Sequence, residues 1–139
     1  MPRELSISFS ILLFAGLIAA NAYVFQKLHA PAATEVTVFA AGKGTAALVR
    51  APSGETLLVN AGSDASILRA LGAALPPWQR NLDAVMVTDM SANNAGGLPD
   101  VLHRYKVAAL IRPDLEGSKG LEAALAAAAS ANTSVRRLR

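Results

Sequence analysis

The sequence predicts an α/β domain carried behind one apolar helix long enough to span a membrane. Three observations lead there. The chain opens on an uncharged apolar run. Short β-branched runs follow, parted by turns rich in glycine and proline. Strand-like and helix-like segments then alternate to the end.

Length and composition set the frame. The 139 residues suffice for one domain, on a prior of roughly 100–200 residues each. A content of 53% hydrophobic and 17% charged residues argues against disorder. The chain has no cysteine, which removes disulfides, thiolate zinc sites and a cysteine nucleophile. Its net charge of +3 does not form a nucleic-acid footprint. Between residues 30 and 135 there are 8 Lys/Arg against 9 Asp/Glu. The basic excess comes from Arg3, Lys27, Arg136, Arg137 and Arg139. A phosphate backbone needs a cationic stripe on one face. None is visible, so direct nucleic-acid binding is not expected.

No charged residue occurs from Leu5 to Gln26. Ile7 to Phe25 supplies 19 residues, close to the ~20 that cross a bilayer as a helix. Tyr23 and Lys27 stand where interface anchors belong. A cleaved signal peptide is the competing reading, because Ala20-Asn21-Ala22 has the form of a cleavage site. The apolar run continues past that site through Val24 and Phe25, which favours an uncleaved anchor. Residues 1–29 are thus assigned to the membrane and 30–35, with Ala30-Pro31-Ala32-Ala33, to a linker. Residues 36–139 form the rest.

Val36 to Phe39, Ala46 to Arg50 and Thr56 to Asn60 read as strands. The Ala40–Thr45 turn and the Pro52-Ser53-Gly54-Glu55 turn make them an antiparallel meander. Ser63 or Asp64 can cap a helix whose apolar face is Ile67, Leu68, Leu71 and Leu75. Pro76-Pro77 ends it, and Trp78 is expected to pack its loop against the core. Leu82 to Thr88 reads as a strand buried on both faces. A helix over Leu98–Tyr105, a strand over Val107–Ile111 and an alanine-rich helix over Leu121–Ala131 follow. That last helix has little to bury deeply. Ser134 to Leu138 begins a further strand.

The most informative stretch is Thr88-Asp89-Met90-Ser91-Ala92-Asn93-Asn94-Ala95-Gly96-Gly97. A polar loop leaving a strand and entering a helix is a common place for a site. This loop resembles the T-H-x-H-x-D-H-x-G-G signature of the metallo-β-lactamase superfamily. Thr88, Gly96 and Gly97 match, while Asp89, Ser91, Asn93 and Asn94 occupy the four ligand positions. More closely, the pattern is similar to the C-terminal domain of ComEC-type competence DNA-uptake channels. That family's D-V-G-Q-G-D turn corresponds to Ala40-Ala41-Gly42-Lys43-Gly44-Thr45. Both glycines stay, and Ala40 and Thr45 stand where the acids would be. Pro52-Ser53-Gly54 matches its hairpin turn. Asn60-Ala61-Gly62 matches its D-A-G element, again without the acid.

The resemblance implies zinc in the family, and these residues argue against it here. Imidazoles and carboxylates bind zinc, which then activates a water. Ser91 is a poor ligand, and the amides of Asn93 and Asn94 suit hard cations better than zinc. His29 and His103 lie outside the motif. The expectation is therefore no cofactor, no metal ligand and no catalytic residue, with Asn93-Asn94 capping the following helix. The alternative is a metal-dependent hydrolase or nuclease that binds a hard cation through Asp89, with Asp64 and Asp83. The full family domain is a four-layer αββα sandwich, and this chain supplies roughly half. That predicts an uncovered sheet face open to a homo-oligomer, a missing half-domain or a channel partner. By the same resemblance, the protein is single-pass in the cell membrane with its soluble part outside the cytoplasm.

Overall fold

The computed structural model describes residues 2–29, 33–131 and 133–138. The Ala30-Pro31-Ala32 part of the expected linker lies outside the described residues. The first element, α1 (Pro2–His29), is apolar on all sides. Its segment Ile7–Leu28 has a mean hydropathy of 2.0 and none of it is buried against the rest of the chain. At 1.5 Å per residue its 22 residues span about 33 Å, enough for a ~30 Å hydrocarbon core.

The domain is a mixed α/β sheet of six strands in the order β1-β2-β3-β4-β5-β6. Strands β1 (Glu35–Ala41), β2 (Gly44–Arg50) and β3 (Thr56–Val59) form the antiparallel meander. Strands β4 (Asn81–Met86), β5 (Lys106–Pro113) and β6 (Ser134–Leu138) then add in parallel. Parallel neighbours require crossovers, and α2 (Ser66–Ala74), α4 (Leu98–Arg104) and α5 (Lys119–Ser130) supply them. Each crossover moves one strand further in the same direction, so right-handed connections put all three helices on one face. Accordingly, α2 packs on α4 and α4 packs on α5.

That covered face holds the core. Leu48, Leu58, Val85 and Leu110 form a paired row with no exposure at all. Ile67 and Leu71 of α2, Leu98 and Val101 of α4, and Leu121 and Leu125 of α5 close over it. The alanine-rich helix therefore buries more than its composition suggests, through two leucines and Ala128 at helical spacing.

Side chains alternate across a sheet, so the other face carries the intervening residues. Val36, Val49, Leu57, Ala84 and Ala109 form one row there. Val38, Ala47, Val59, Met86 and Ile111 form the next. Val36 and Val38 are exposed and the rest are half-buried. The strand expected to be buried on both faces is thus covered on one. Its continuous apolar sequence serves two apolar faces, of which one has a helix layer.

Trp78 departs from expectation. It is 65% exposed. Its ring meets Phe25 of α1, with centroids 5.8 Å apart, and not the core. Pro76 and Gln79 close a turn that holds the indole outward, with the Gln79 amide donating to the Pro76 carbonyl at 2.9 Å.

Candidate functional site

Three loops converge at the end of the sheet where β3 and β4 finish. They are the β1–β2 turn, the segment after β3 and the loop after β4. Their backbones bond one another directly. The Ser63 amide donates to the Ala41 carbonyl at 3.0 Å, the Ala61 amide to the Asn94 carbonyl at 2.8 Å, and the Gly97 amide to the Gly62 carbonyl at 3.1 Å. The Ser63 hydroxyl accepts from the Lys43 amide at 2.8 Å. Such close approach leaves no room for side chains. A Cβ on Gly97 would lie 2.3 Å from the Ala61 carbonyl oxygen and 2.6 Å from that of Asp64. The motif glycines are thus explained by backbone packing.

The motif's polar side chains are used to lock the same loops. Asn60 has φ +60°, a conformation that asparagine tolerates better than most residues. Its Oδ1 accepts from the Thr88 amide at 2.9 Å and the Thr88 hydroxyl at 3.0 Å. This ties the end of β3 to the end of β4. In Asp89, Oδ1 accepts from the Ser91 amide at 2.8 Å. Its Oδ2 accepts from the Asn94 side-chain amide. Hydrogen bonding from Ser91, through side chain and backbone, and then from Asn94 holds the Asp89 carboxyl below its ordinary value. Asp89 is therefore an ionised carboxylate with both oxygens already accepting internal donors.

The asparagines do not cap the next helix. A single helical turn, α3 (Ala92–Ala95), intervenes, with Ser91 before it and no side-chain cap. The helix α4 starts after Gly97, with Pro99 in its first turn. Asn93 is exposed, and its carbonyl oxygen rests against Gly44. Ala40 and Thr45 are one exposed cross-strand pair beside that turn. They bring a methyl and a hydroxyl to that turn.

The structure thus gathers Asn60, Thr88, Asp89, Ser91 and Asn94 at one end of the sheet, with Thr45 and Asn93 at its margin. It does not gather the three aspartates of the alternative reading. Asp64 is spent on α2, where its Oδ1 accepts from the Ser66 amide at 2.9 Å. Asp83 accepts from the amide and hydroxyl of Thr56 at 2.8 and 3.0 Å. It sits near the start of β4 while Asp89 lies past its end, about 20 Å away at ~3.3 Å per residue. Among the described residues, no three His, Cys, Asp or Glu side chains come close enough to hold a metal ion. His103 is exposed on α4, at the opposite end of the sheet from the loop.

Space follows the same pattern. The niche beside the loop, lined by Met90, Ala92, Ala95, Pro99 and Leu121, holds about 120 Å³. Small-molecule sites run to roughly 300–1,000 Å³. Larger clefts lie at the other end. One of about 680 Å³ is lined by Leu82, His103, Tyr105 and Lys106. Another of about 470 Å³ lies between Phe25, Trp78 and the β2–β3 hairpin.

The sequence pointed to this loop cluster but missed how it is held. A helix cap is the local signal at Ser63, yet its hydroxyl joins two loops. At Asn60 the motif comparison shows a lost acid, yet the Asn-Ala-Gly run at a strand end is also a signal for a residue in the left-handed region.

If Asn60 is the clamp between β3 and β4, its substitutions should separate acceptor chemistry from conformation. Asn60→Asp keeps the acceptor and should leave stability within about 0.5 kcal/mol of wild type. Asn60→Ala loses both bonds and keeps the positive φ, so it should cost about 2 kcal/mol. Chemical unfolding of the two variants side by side tests this. Equal losses would show that the Thr88 bonds contribute nothing.

No family model matches the chain, and no curated protein sequence matches it. Among solved structures it is similar to a new diphosphatase from the PhnP family, at 18% identity and a TM-score of 0.46. The match covers 70% of this chain and 38% of that one. The chain therefore spans well under half of that protein's length, and its own strand order and crossovers define its fold.

Proposed function

We propose that this chain is a membrane-anchored, partial metallo-β-lactamase-like domain, related to those of competence DNA-uptake channels, that acts by binding and not by hydrolysis. The observation that carries this is the inward use of the loop's polar groups. Asp89 and Asn94 bond each other, Asn60 bonds Thr88, and the space beside them is about 120 Å³. A hydrolytic metal site needs convergent donors and an open coordination position facing a substrate. Here the candidate ligand atoms bond one another and the backbone.

The binding surface in this reading is the open sheet face. Its two apolar rows run across five strands, and among the described residues no helix layer covers them. Contiguous apolar surface of this kind marks protein contacts. A second apolar sheet would suit it, from another copy or from a separate half-domain. In this reading the soluble part lies outside the cytoplasm, and a reporter fused after Arg139 that scored cytoplasmic would contradict it.

One preparation tests both halves of the proposal. The full chain, purified in detergent and equilibrated with Zn²⁺, Mn²⁺ or Mg²⁺, is expected to retain no stoichiometric metal. It is also expected to cleave a chromogenic phosphodiester no faster than buffer. Retained metal that Asp89→Ala abolishes, together with turnover, would establish the hard-cation hydrolase instead. In sedimentation the wild type is expected to self-associate or to carry a partner, and Ile111→Glu, on the open face, to release a monomer. A monodisperse monomer for both proteins would remove the binding-face reading.

A further inference from the structure

We infer that the Trp78 end of the domain lies in the headgroup layer of the bilayer, so that the domain rests on the membrane and its loop cluster points away from it. The inference rests on the reading that α1 spans the membrane, and it adds a second, peripheral contact made by the folded domain.

The geometry fixes the depth. Phe25 belongs to the apolar segment Ile7–Leu28, three residues before its end. Three residues are about 4.5 Å of helix. An indole whose centroid is 5.8 Å from the Phe25 ring is held at the level where that segment leaves the hydrocarbon. Trp78 is nevertheless 65% exposed within the protein. A tryptophan with an apolar body and one N–H donor suits the boundary between acyl chains and water. Tyr23 lies one helical turn away from Lys27 at the same end of α1, as in an interfacial aromatic belt.

The chemistry around Trp78 suits phospholipid headgroups. A cleft of about 470 Å³ separates Phe25 and Gln26 from the β2–β3 hairpin, and Arg50 and Glu55 line it. Arg80, Arg104 and Lys106 are exposed at the same end of the sheet, where β4 and β5 begin. The Lys106 amide donates to the Arg80 carbonyl at 2.8 Å, which keeps these two residues together. The acids at this end are Glu35, Glu55 and Asp83. Glu35 pairs with Arg50 at 3.9 Å and Asp83 is engaged with Thr56, which leaves Arg80, Arg104 and Lys106 as the cations for a headgroup. Cations near an anionic surface attract it over about a Debye length. The loop cluster holding Asp89 sits at the far end of β4. In this orientation it faces away from the membrane.

The chain has one tryptophan, so intrinsic fluorescence reads Trp78 alone. The full chain is reconstituted into vesicles of phosphatidylcholine and phosphatidylglycerol, with and without acyl-brominated lipid. Brominated lipid should lower Trp78 emission by about half or more, as for an interfacial indole. Aqueous acrylamide should quench it weakly. The double variant Trp78→Phe/Leu115→Trp moves the probe to an exposed position past the opposite end of β5. Its emission should ignore brominated lipid and respond to acrylamide. A chain that resists alkaline extraction, yet whose Trp78 behaves like the Leu115 probe, overturns the docking and leaves the anchor intact. A chain that alkali extracts from the vesicles overturns both.

Discussion

Gly44→Ala is expected to destabilise the domain by about 3 kcal/mol or more, as overpacking does where backbone must move. A Cβ at Gly44 would lie 1.7 Å from the Asn93 carbonyl oxygen and 2.8 Å from its carbon. Neither atom can swing aside as a side chain would. The next carbonyl, that of Asn94, is bonded to the Ala61 amide, and Gly97 is bonded to Gly62. Relief therefore requires the β1–β2 turn to part from the loop after β4. That separation would open the Asn60, Thr88 and Asp89 cluster with it. Gly72 provides the contrast. It lies inside α2, and a Cβ there meets nothing within 4 Å. Gly72→Ala should stabilise by about 0.5–1 kcal/mol through helix propensity alone. Thermal unfolding followed by circular dichroism should put the Gly44→Ala midpoint roughly 10 °C or more below wild type. It should put Gly72→Ala at or above wild type. Similar midpoints for the two variants would mean that the loops are not welded by backbone contact.

This contrast also marks what the sequence could and could not disclose. The strands were legible because period-two apolar runs end at turn residues, as at Pro52-Ser53-Gly54. The crossovers were legible because Ile67, Leu71 and Leu75 repeat at helical spacing. The retained glycines were legible as backbone requirements, though not which backbone each one meets. Gly44 stands against Asn93, 49 positions along the chain, and no local pattern encodes that distance. Trp78 was misplaced because size and apolarity do not tell a core residue from one that faces another segment. The open face was hidden in β4 for a related reason. An unbroken apolar run shows that both faces are apolar, but not that both are covered. The motif asparagines misled because an amide that caps a helix and one that braces a carboxylate look the same in sequence.

Arg112 is the feature that no sequence pattern announced, and its removal should be the other large loss. It is 3% exposed at the end of β5. Its guanidinium grips Glu122 of α5 through two bonds of 2.8 Å. It also donates to the Leu115 carbonyl, and the Gly117 amide donates to Glu122 at 2.8 Å. One ion pair thus fixes the whole connection from β5 to α5. Glu122→Gln should cost about 3 kcal/mol at neutral pH, because it leaves a buried guanidinium without its counter-charge. Arg112→Met should cost less, about 1–2 kcal/mol, since the remaining carboxylate is partly exposed and can rehydrate while the thioether fills the space. The pH dependence separates charge from packing. Bonding from Arg112, and then from the Gly117 amide, pulls the Glu122 carboxyl from 4.5 down to about 2. A carboxyl with a lower value in the folded state takes up its proton first in the unfolded chain. Its stabilisation is therefore complete above about pH 4.5 and fades as pH falls toward about 2. Urea midpoints measured across that interval should converge for wild type and Glu122→Gln. A gap that stays constant with pH would assign the loss to packing and not to the ion pair.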